Sequence, residues 1–379
     1  MSNTEVFGWK ISKFIDNSNY SFSREKILDV CGKETVIDAF NIISNWDNYK
    51  STPLLKLNKL SKKLNLKNIF YKDESHRFHL KSFKALGGAY AVEKITKGNK
   101  KITVATATAG NHGRSVSWGA QRLGLNCKIF ISEYVSDSRA NVMRDLGADV
   151  IRVKGNYDAS LKECIKQSQK NGWEIIQDVA WQSYEEVPKL TMAGYSVMIK
   201  EISNQTNQYI THVFLQAGVG GMASGAIAGI AKYFKRIPKI IIVEPENADC
   251  VLQSVKEGKM QKVDIKKESI LGGMSCGEVS LVPWQILKYA VNNCISISDE
   301  NIAETIAMLQ KKQLGEETII GGECATPGII GLIAACEDEN IKNKLDLNEN
   351  SNVLLMGCEG DADKDLYKKL LNEGINKLI

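Results

Sequence analysis

A lysine in an apolar stretch is the first residue of this sequence whose type and surroundings suggest chemistry. Lys84 lies in the segment Lys-Ser-Phe-Lys-Ala-Leu-Gly-Gly-Ala-Tyr, residues 81–90, between a polar loop and the small-residue start of a predicted helix. Apolar surroundings desolvate a lysine, which lowers its pKa and frees the amine for nucleophilic attack. Lys84 is therefore a candidate for forming an imine with an aldehyde, although a lysine taken alone is as often an ordinary surface residue.

A glycine-rich loop supplies a second chemical feature. The predicted strand His212–Leu215 runs into Gln-Ala-Gly-Val-Gly-Gly and then into a helix of small residues. Bare backbone N–H groups at a helix N-terminus bind phosphate, and glycines let the anion approach those amides. The residues predicted to hold a phosphate are Gly218, Val219, Gly220, Gly221, Met222 and Ala223.

Two other interpretations of this loop stay open. Its residues match the dinucleotide-binding pattern GxGxxA, and Glu244 ends a following strand where a ribose-binding acid would lie. That pattern would indicate an NAD-dependent oxidoreductase. Alternatively, the glycines only let a helix pack close to a sheet.

A third segment, Thr106–Gly113, follows a predicted strand and opens a helix. Its amides can bind a second anion such as a substrate carboxylate, and we assign this role to Thr108, Ala109, Gly110 and His112. Asn111 can donate to a phenolic oxygen. A structural hydrogen bond is the favoured role of the His112 ring, ahead of a role as base. Together the three segments suggest an enzyme that holds pyridoxal phosphate (PLP) and acts on the α-carbon of a small amino acid.

Composition narrows the class of protein. The chain has 379 residues, 43% of them hydrophobic and 25% charged, which suits a soluble protein of two domains. Its net charge of +5 comes from lysines interspersed with acids, so nucleic-acid binding is not expected. The uncharged stretch 214–231 contains five glycines and predicts a buried strand, loop and helix, not a membrane span.

Cysteine usage predicts a reducing compartment. Nine cysteines without a CxxC pair, and an N-terminus without signal-peptide features, favour the cytoplasm and mostly free thiols. A bond between Cys250 and Cys276 stays open, because sequence does not reveal their distance. We predict no metal site.

Short β-branched runs alternate with helical patterns, which predicts an α/β fold of two three-layer domains with parallel-rich sheets. The predicted strands are Ile69–Lys72, Ile102–Thr106, Cys127–Ile131, Asp149–Val153, Glu174–Ile176, His212–Leu215, Ile240–Val243 and Val353–Met356. The predicted helices include Asn111–Leu123, Ser138–Leu146, Tyr157–Asn171 and Asn301–Lys312. With no linker in the sequence, we expect a smaller domain, 88–195, inserted into a larger PLP-binding domain, 1–87 and 196–379. The first 50 or so residues are expected to wrap a domain or an oligomer partner.

These motifs resemble those of the fold-type-II PLP-dependent enzymes, the tryptophan synthase β and threonine dehydratase superfamily. Within it the chain is most similar to the diaminopropionate ammonia-lyase branch, from Thr52 to Asp361. The resemblance rests on Ser82-Phe83-Lys84, Gly87-Gly88-Ala89-Tyr90, Gln177-Asp178-Val179-Ala180-Trp181, Gln216-Ala217-Gly218-Val219-Gly220 and Gly322-Glu323-Cys324.

The resemblance implies a role for each site residue. Lys84 would be the Schiff-base lysine, Phe83 would pack on the cofactor ring and Asn111 would bond the ring oxygen. Cys358 would face the pyridine nitrogen as a neutral partner, which limits the ring as an electron sink and favours β-elimination. Asp178 would lie near the β-substituent of the substrate. By analogy with the family, a homodimer is expected.

One departure from the family bears on stereochemistry. The branch usually carries an aspartate before Gly-Asn-His-Gly, as a base for the D-isomer, and this chain has Ala109 there. We therefore expect α,β-elimination of L-2,3-diaminopropionate, with Lys84 as base and Asp178 holding the leaving amine, and little activity on the D-isomer. An L-serine/L-threonine dehydratase, a β-replacing synthase and a non-catalytic PLP- or amino-acid-binding paralogue remain alternatives.

Overall fold

The computed structural model describes residues 7–108 and 110–378. Ala109 lies outside the described residues. The strands are β1 (Ile11–Asp16), β2 (Leu54–Lys56), β3 (Asn68–Asp73), β4 (Thr103–Ala107), β5 (Asn126–Ser132), β6 (Asp149–Val153), β7 (Glu174–Ile175), β8 (His212–Gln216), β9 (Lys239–Pro245), β10 (Asn293–Ile297) and β11 (Asn352–Gly357).

Helices alternate with these strands along the chain. They are α1 (Arg24–Cys31), α2 (Lys33–Ile43), α3 (Asn58–Lys63), α4 (Lys84–Thr96), α5 (Asn111–Leu123), α6 (Asp137–Asp145), α7 (Tyr157–Asn171), α8 (Glu186–Tyr195), α9 (Val197–Gln205), α10 (Gly221–Tyr233), α11 (Cys250–Glu257), α12 (Leu281–Ala290), α13 (Ile302–Gln310), α14 (Pro327–Glu337), α15 (Glu339–Leu345) and α16 (Lys364–Lys377). No helix in the described ranges is both long and apolar enough to cross a bilayer.

The larger sheet is mixed. Within the described residues its order is β1-β10-β9-β8-β11-β3-β2, with the central five strands parallel and both edge strands antiparallel. Every residue of β8, β10 and β11 is buried. A parallel strand covered on both faces needs apolar residues on both, which explains their runs of Val, Ile and Leu.

The smaller sheet has the order β6-β5-β4-β7 and is parallel throughout its described strands. All its strands fall inside residues 88–195, and those of the larger sheet fall outside that range. The parallel-rich α/β fold is confirmed. The domain boundaries themselves stay a prediction, and the boundary at 87/88 falls within α4.

All eight predicted strands are present, but β1, β2 and β10 were not foreseen. In β1 and β2 no residue is fully buried, and β2 has only three residues, so neither has a clear apolar period. The N-terminal region packs on the large sheet, because β1 pairs with β10 and the Arg24 guanidinium donates to carbonyls at the end of α10, including Ala231 O at 2.6 Å.

Three helices meet at glycines next to the catalytic lysine candidate. A Cβ on Gly194 of α8 would lie 2.6 Å from the Leu86 carbonyl of α4, and one on Gly225 of α10 would lie 2.5 Å from the Met192 carbonyl of α8. Only glycine permits such close backbone contact. The packing brings the N-termini of α4 and α10, which carry Lys84 and the glycine loop, to the same end of α8.

Candidate active site

A cavity of about 700 Å³ lies where strands of both sheets end. Residues at the carboxyl ends of β4 and β5 line one side, and residues at the ends of β8 and β11 line the other. Parallel α/β sheets bind ligands at this edge, because the loops there leave a crevice and helix N-termini point into it.

Most of the predicted site residues line this cavity. They are Phe83, Lys84, Thr108, Gly110, Asn111, His112, Asp178, Gly218, Val219, Gly220, Gly221, Met222 and Cys358. Ala223 does not line it, since its side chain is fully buried in α10. Ala109 falls outside the described part of the chain. The individual roles assigned to these residues remain predictions.

Lys84 is the first residue of α4, and its Nζ forms an ion pair with Asp178 Oδ2. Burial is the strongest influence on the lysine and disfavours its charge, but Asp178, together with Tyr195 and Cys276, outweighs it and raises the pKa of Lys84. The prediction of a lowered lysine pKa is therefore wrong for this state, because the sequence did not reveal that a carboxylate faces the amine. Burial opposes ionisation of Asp178 as well, yet the Lys84 ammonium beside it lowers the pKa of Asp178, so it is a carboxylate.

Gln177 fixes the segment that carries Asp178. Its side-chain carbonyl accepts from Thr106 Oγ1 at 2.6 Å and from the Ala107 N–H at 3.2 Å, while its amide donates to the Ala107 carbonyl at 3.0 Å. Two residues after Asp178, the Ala180 N–H donates to Ser280 Oγ at 2.8 Å. Because both sides of Asp178 are anchored, its carboxylate is held in place over Lys84.

The glycine loop has the features of a phosphate site. Gly220, with φ of +94°, immediately precedes α10, and the Ser224 N–H donates to its carbonyl. The N–H groups of Gly221, Met222 and Ala223 come before that bond and have no partner within the helix. A Cβ on Gly218 would lie 2.9 Å from the Gly273 carbonyl, so a side chain there would collide with the opposite wall.

Cys358 lies at the far side of the cavity from the small sheet, directly after β11. Its thiol donates to the Cys324 carbonyl at 3.0 Å, and burial raises its pKa well above the usual value. Gln216 braces the same region by donating to the carbonyls of Cys324 and Met356 at 2.9 and 2.6 Å. Cys358 is thus a neutral hydrogen-bonding group, as the resemblance implies for the partner of a pyridine nitrogen.

A pair of glutamates adjoins Asn111. The Asn111 amide donates to Glu359 Oε2 at 2.6 Å, and Glu359 Oε1 accepts from the Cys324 N–H at 3.0 Å. Burial, followed by the charge of Glu359, raises the pKa of Glu323 to about 8. Glu323, Cys324 and Glu359 present groups of metal-ligand type within 4.8 Å of one another, in a region where the sequence predicts no metal.

Glu244 is not available to a ribose. It is fully buried, and its two carboxylate oxygens accept from the N–H groups of Val251 and Leu252 at 2.8 and 2.7 Å, at the start of α11. Because Glu244 caps α11, the dinucleotide-binding interpretation lacks the acidic residue that would bind a ribose hydroxyl. Cys250 and Cys276, whose pairing the sequence left open, are both free thiols.

Comparison with known proteins identifies the family. Residues 46–358 match the family model of the pyridoxal-phosphate dependent enzymes. The chain belongs to this family. The PLP-dependent enzymes most similar to it include the diaminopropionate ammonia-lyase of Escherichia coli K12, 35% identical, with 86% of this chain and 88% of the relative aligned. The enzyme of the same name from Salmonella typhimurium LT2 is also 35% identical, over 86% and 89%.

Solved structures agree with this placement of the PLP-dependent chain. Holo diaminopropionate ammonia lyase from Escherichia coli superposes with a TM-score of 0.89 at 32% identity and 98% coverage of each chain. The same enzyme in complex with D-serine gives a TM-score of 0.89 at 32% identity, covering 99% of this chain and 100% of that one. Threonine deaminase isoform 2 from Solanum lycopersicum, at 21% identity and a TM-score of 0.79, shares the fold over 96% and 97% of the two chains.

The cavity fits PLP as this family uses it. It offers an amine for the aldehyde, a helix N-terminus with free amides for the phosphate, and a neutral thiol for the ring nitrogen. The Phe83 ring lies beside the lysine, with Lys84 Nζ 5.7 Å from its centroid.

Several cavity residues were not predicted as site residues. Tyr195, at the end of α8, stacks edge-on against Phe83 with ring centroids 4.7 Å apart. Tyr157, Arg114 and Arg139 also line the cavity, and no local motif distinguishes them. Gln177 and Glu323 were within reach of the sequence, because both belong to the ammonia-lyase motifs.

Proposed function

We propose that this PLP-dependent enzyme catalyses α,β-elimination of L-2,3-diaminopropionate, which with one water molecule yields one pyruvate and two ammonia molecules. The observation that carries the proposal is the ion pair between Lys84 and Asp178 in the cavity. It places the Lys84 nitrogen, which removes the α-proton once it has lost its own proton, beside a carboxylate able to hold a second ammonium. The curated relatives aligned over most of this chain are named for the same substrate.

Each residue has a defined task in the proposed reaction. PLP, when bound, supplies the electron sink that makes the α-proton acidic. Lys84 removes that proton as general base through Nζ. Asp178 keeps the β-amine protonated, so the amine departs as neutral ammonia without a further proton. Cys358, which burial keeps as a thiol, would give the ring nitrogen of bound PLP a partner without charge.

The substrate carboxylate is assigned to the segment before α5. Gly110 immediately precedes the first residue of that helix, and Thr108, Gly110 and Asn111 line the cavity. A helix N-terminus favours a bound anion. The preference for the L-isomer rests on Ala109, which has no side-chain proton acceptor.

We also propose that the enzyme is a cytoplasmic homodimer. All nine cysteines are free thiols, which suits a reducing compartment. The dimer rests on analogy with the family alone.

The proposal is tested by measuring pyruvate and ammonia from L- and D-diaminopropionate and from L-serine. We expect turnover of L-diaminopropionate with two ammonia molecules per pyruvate, little from the D-isomer, and loss of at least about a thousandfold in Lys84→Ala. Lys100→Ala, an exposed lysine, is the matched control and should keep wild-type rates. Turnover of L-serine alone would favour the dehydratase alternative, and absence of any turnover would favour the non-catalytic one.

A further inference from the structure

The ring of His112 is buried between a backbone carbonyl and Asp178. Its Nε2 lies 2.8 Å from the Ile176 carbonyl oxygen, and its Nδ1 lies 3.6 Å from Asp178 Oδ2. A carbonyl oxygen only accepts, so Nε2 carries the proton that this hydrogen bond requires. In the neutral ring, Nδ1 is then an acceptor with its lone pair free.

Two acceptors therefore face each other. Nδ1 is buried without a hydrogen-bond partner among the described residues, and Asp178 is ionised. Burial, the largest influence, lowers the pKa of His112 and keeps the ring neutral despite the nearby carboxylate. A buried acceptor without a partner costs about 1–3 kcal/mol, so a site of this kind is suited to a donor that serves both atoms.

Asp178 is now occupied by the ammonium of Lys84, which forms no hydrogen bond with His112 Nδ1. The Lys84 Nζ lies 5.7 and 5.9 Å from the ring centroids of Phe83 and Tyr195. Aromatic faces at this distance attract a cation. Lys84 thus stands in for a small primary ammonium, and it leaves the position free when its nitrogen serves the cofactor and the α-carbon.

We infer that His112 Nδ1 and Asp178 together bind the β-ammonium of the substrate, which makes His112 a specificity-determining residue. The inference rests on the proposed function and adds selection of the leaving group. When the Cβ–N bond of an ammonium breaks, its electron pair stays on nitrogen and ammonia departs. A hydroxyl would need a proton to leave as water, and neither the Nδ1 lone pair nor the carboxylate can donate one.

The test compares leaving groups in the holoenzyme. L-Diaminopropionate loses an amine, whereas β-chloro-L-alanine loses chloride, which needs neither a proton nor a cation site. We expect His112→Leu to lower kcat/KM for diaminopropionate about 10- to 100-fold, as for the loss of one hydrogen bond to a charged group, and to change that for chloroalanine less than about threefold. His112→Asn, which can place an amide oxygen near the Nδ1 position, should recover part of the loss.

The outcomes separate this inference from the proposed function. An equal loss on both substrates would show that His112 only supports the structure, and would overturn the inference while leaving diaminopropionate as the substrate. If His112→Leu does not fold, the test uses the wild-type enzyme. The inference requires its kcat/KM for diaminopropionate to exceed its kcat/KM for L-serine by at least about 100-fold. Comparable rates on both would overturn it, and turnover of serine without diaminopropionate would instead overturn the function.

Discussion

At the scale of single residues, Glu323 makes the free energy of unfolding depend on pH. In an unfolded chain a glutamate has a pKa of about 4.3, whereas burial and the neighbouring Glu359 raise the pKa of Glu323 to about 8. Between these two values the folded protein holds a proton that the unfolded chain has released. The free energy of unfolding therefore falls as pH rises through this window.

Glu323→Gln removes this pH dependence, because glutamine does not ionise. We expect the variant to match wild type near pH 4 and to exceed its free energy of unfolding by at least about 1 kcal/mol near pH 8. Urea denaturation of the holoenzyme at both pH values measures the difference. Glu317→Gln, at an exposed carboxyl six residues earlier in the sequence, is the control and should show no such gain. A variant less stable than wild type at pH 8 would contradict the assignment.

At the scale of elements, the segment before Lys84 is held in an unusual backbone conformation. Phe78, His79 and Lys81 have φ values of 47°, 60° and 60°, a region that non-glycine residues seldom adopt. Such strain persists only where surrounding structure enforces it. Here the Lys81 ammonium pairs with Asp361 at 2.6 Å, and the Phe83 N–H donates to the Cys358 carbonyl at 3.0 Å.

Arg77 anchors the start of this segment. Its guanidinium donates to Glu74 and Glu201 in four bonds of 2.8 Å, and Lys72 Nζ lies 2.6 Å from Glu201. These side chains are almost fully buried, with two positive and two negative charges. The network joins β3 to α9 and fixes the turn that leads to Lys84.

Arg77→Met leaves two buried carboxylates with one ammonium. We expect a loss of about 3–5 kcal/mol in the free energy of unfolding, because breaking a buried pair strands the remaining charge. Chemical denaturation checks this, with Lys166→Met as control, since its ion pair with Glu163 is exposed and should contribute less than about 1 kcal/mol. A loss below about 1 kcal/mol for Arg77→Met would mean that the network does not hold the segment.

The sequence alone predicts some of these elements better than others. Helices α5 and α7 have the predicted bounds, because their apolar spacing is regular and glycines end them. The short edge strand β2 lacked such a pattern. Lys72 ends a predicted strand, but the full burial of its side chain was not predicted, since its partner Glu201 is distant in sequence.

The same limit applies to the cavity. Lys84 and the glycine loop were identified from local residue types, since desolvation and phosphate binding depend on immediate neighbours. The effect of Asp178 on the lysine pKa, and the cavity positions of Tyr195 and Arg139, arise from packing between helices that are far apart in the chain. Long-range contacts of this kind leave no periodic signal in one sequence.

At the scale of the whole molecule, the cavity is lined by residues from both sheets and by the N-termini of α4, α5 and α10. A ligand that fills it therefore stabilises the folded chain by mass action. At about 100 times its dissociation constant, PLP should add roughly 2.7 kcal/mol, which corresponds to about 3 °C in Tm for a chain of this length. Removing PLP should reverse the shift, and differential scanning calorimetry measures it.

Pyridoxal, which lacks the phosphate, makes this test specific to the glycine loop. It keeps the aldehyde that reacts with Lys84 but offers no anion to the amides that begin α10. We expect less than half the Tm increase at the same concentration, because phosphate at a helix N-terminus supplies much of the binding free energy. Lys84→Ala should show the converse, retaining a PLP-dependent increase through the phosphate alone. Equal increases from pyridoxal and PLP in the wild type would place the phosphate away from residues 218–223.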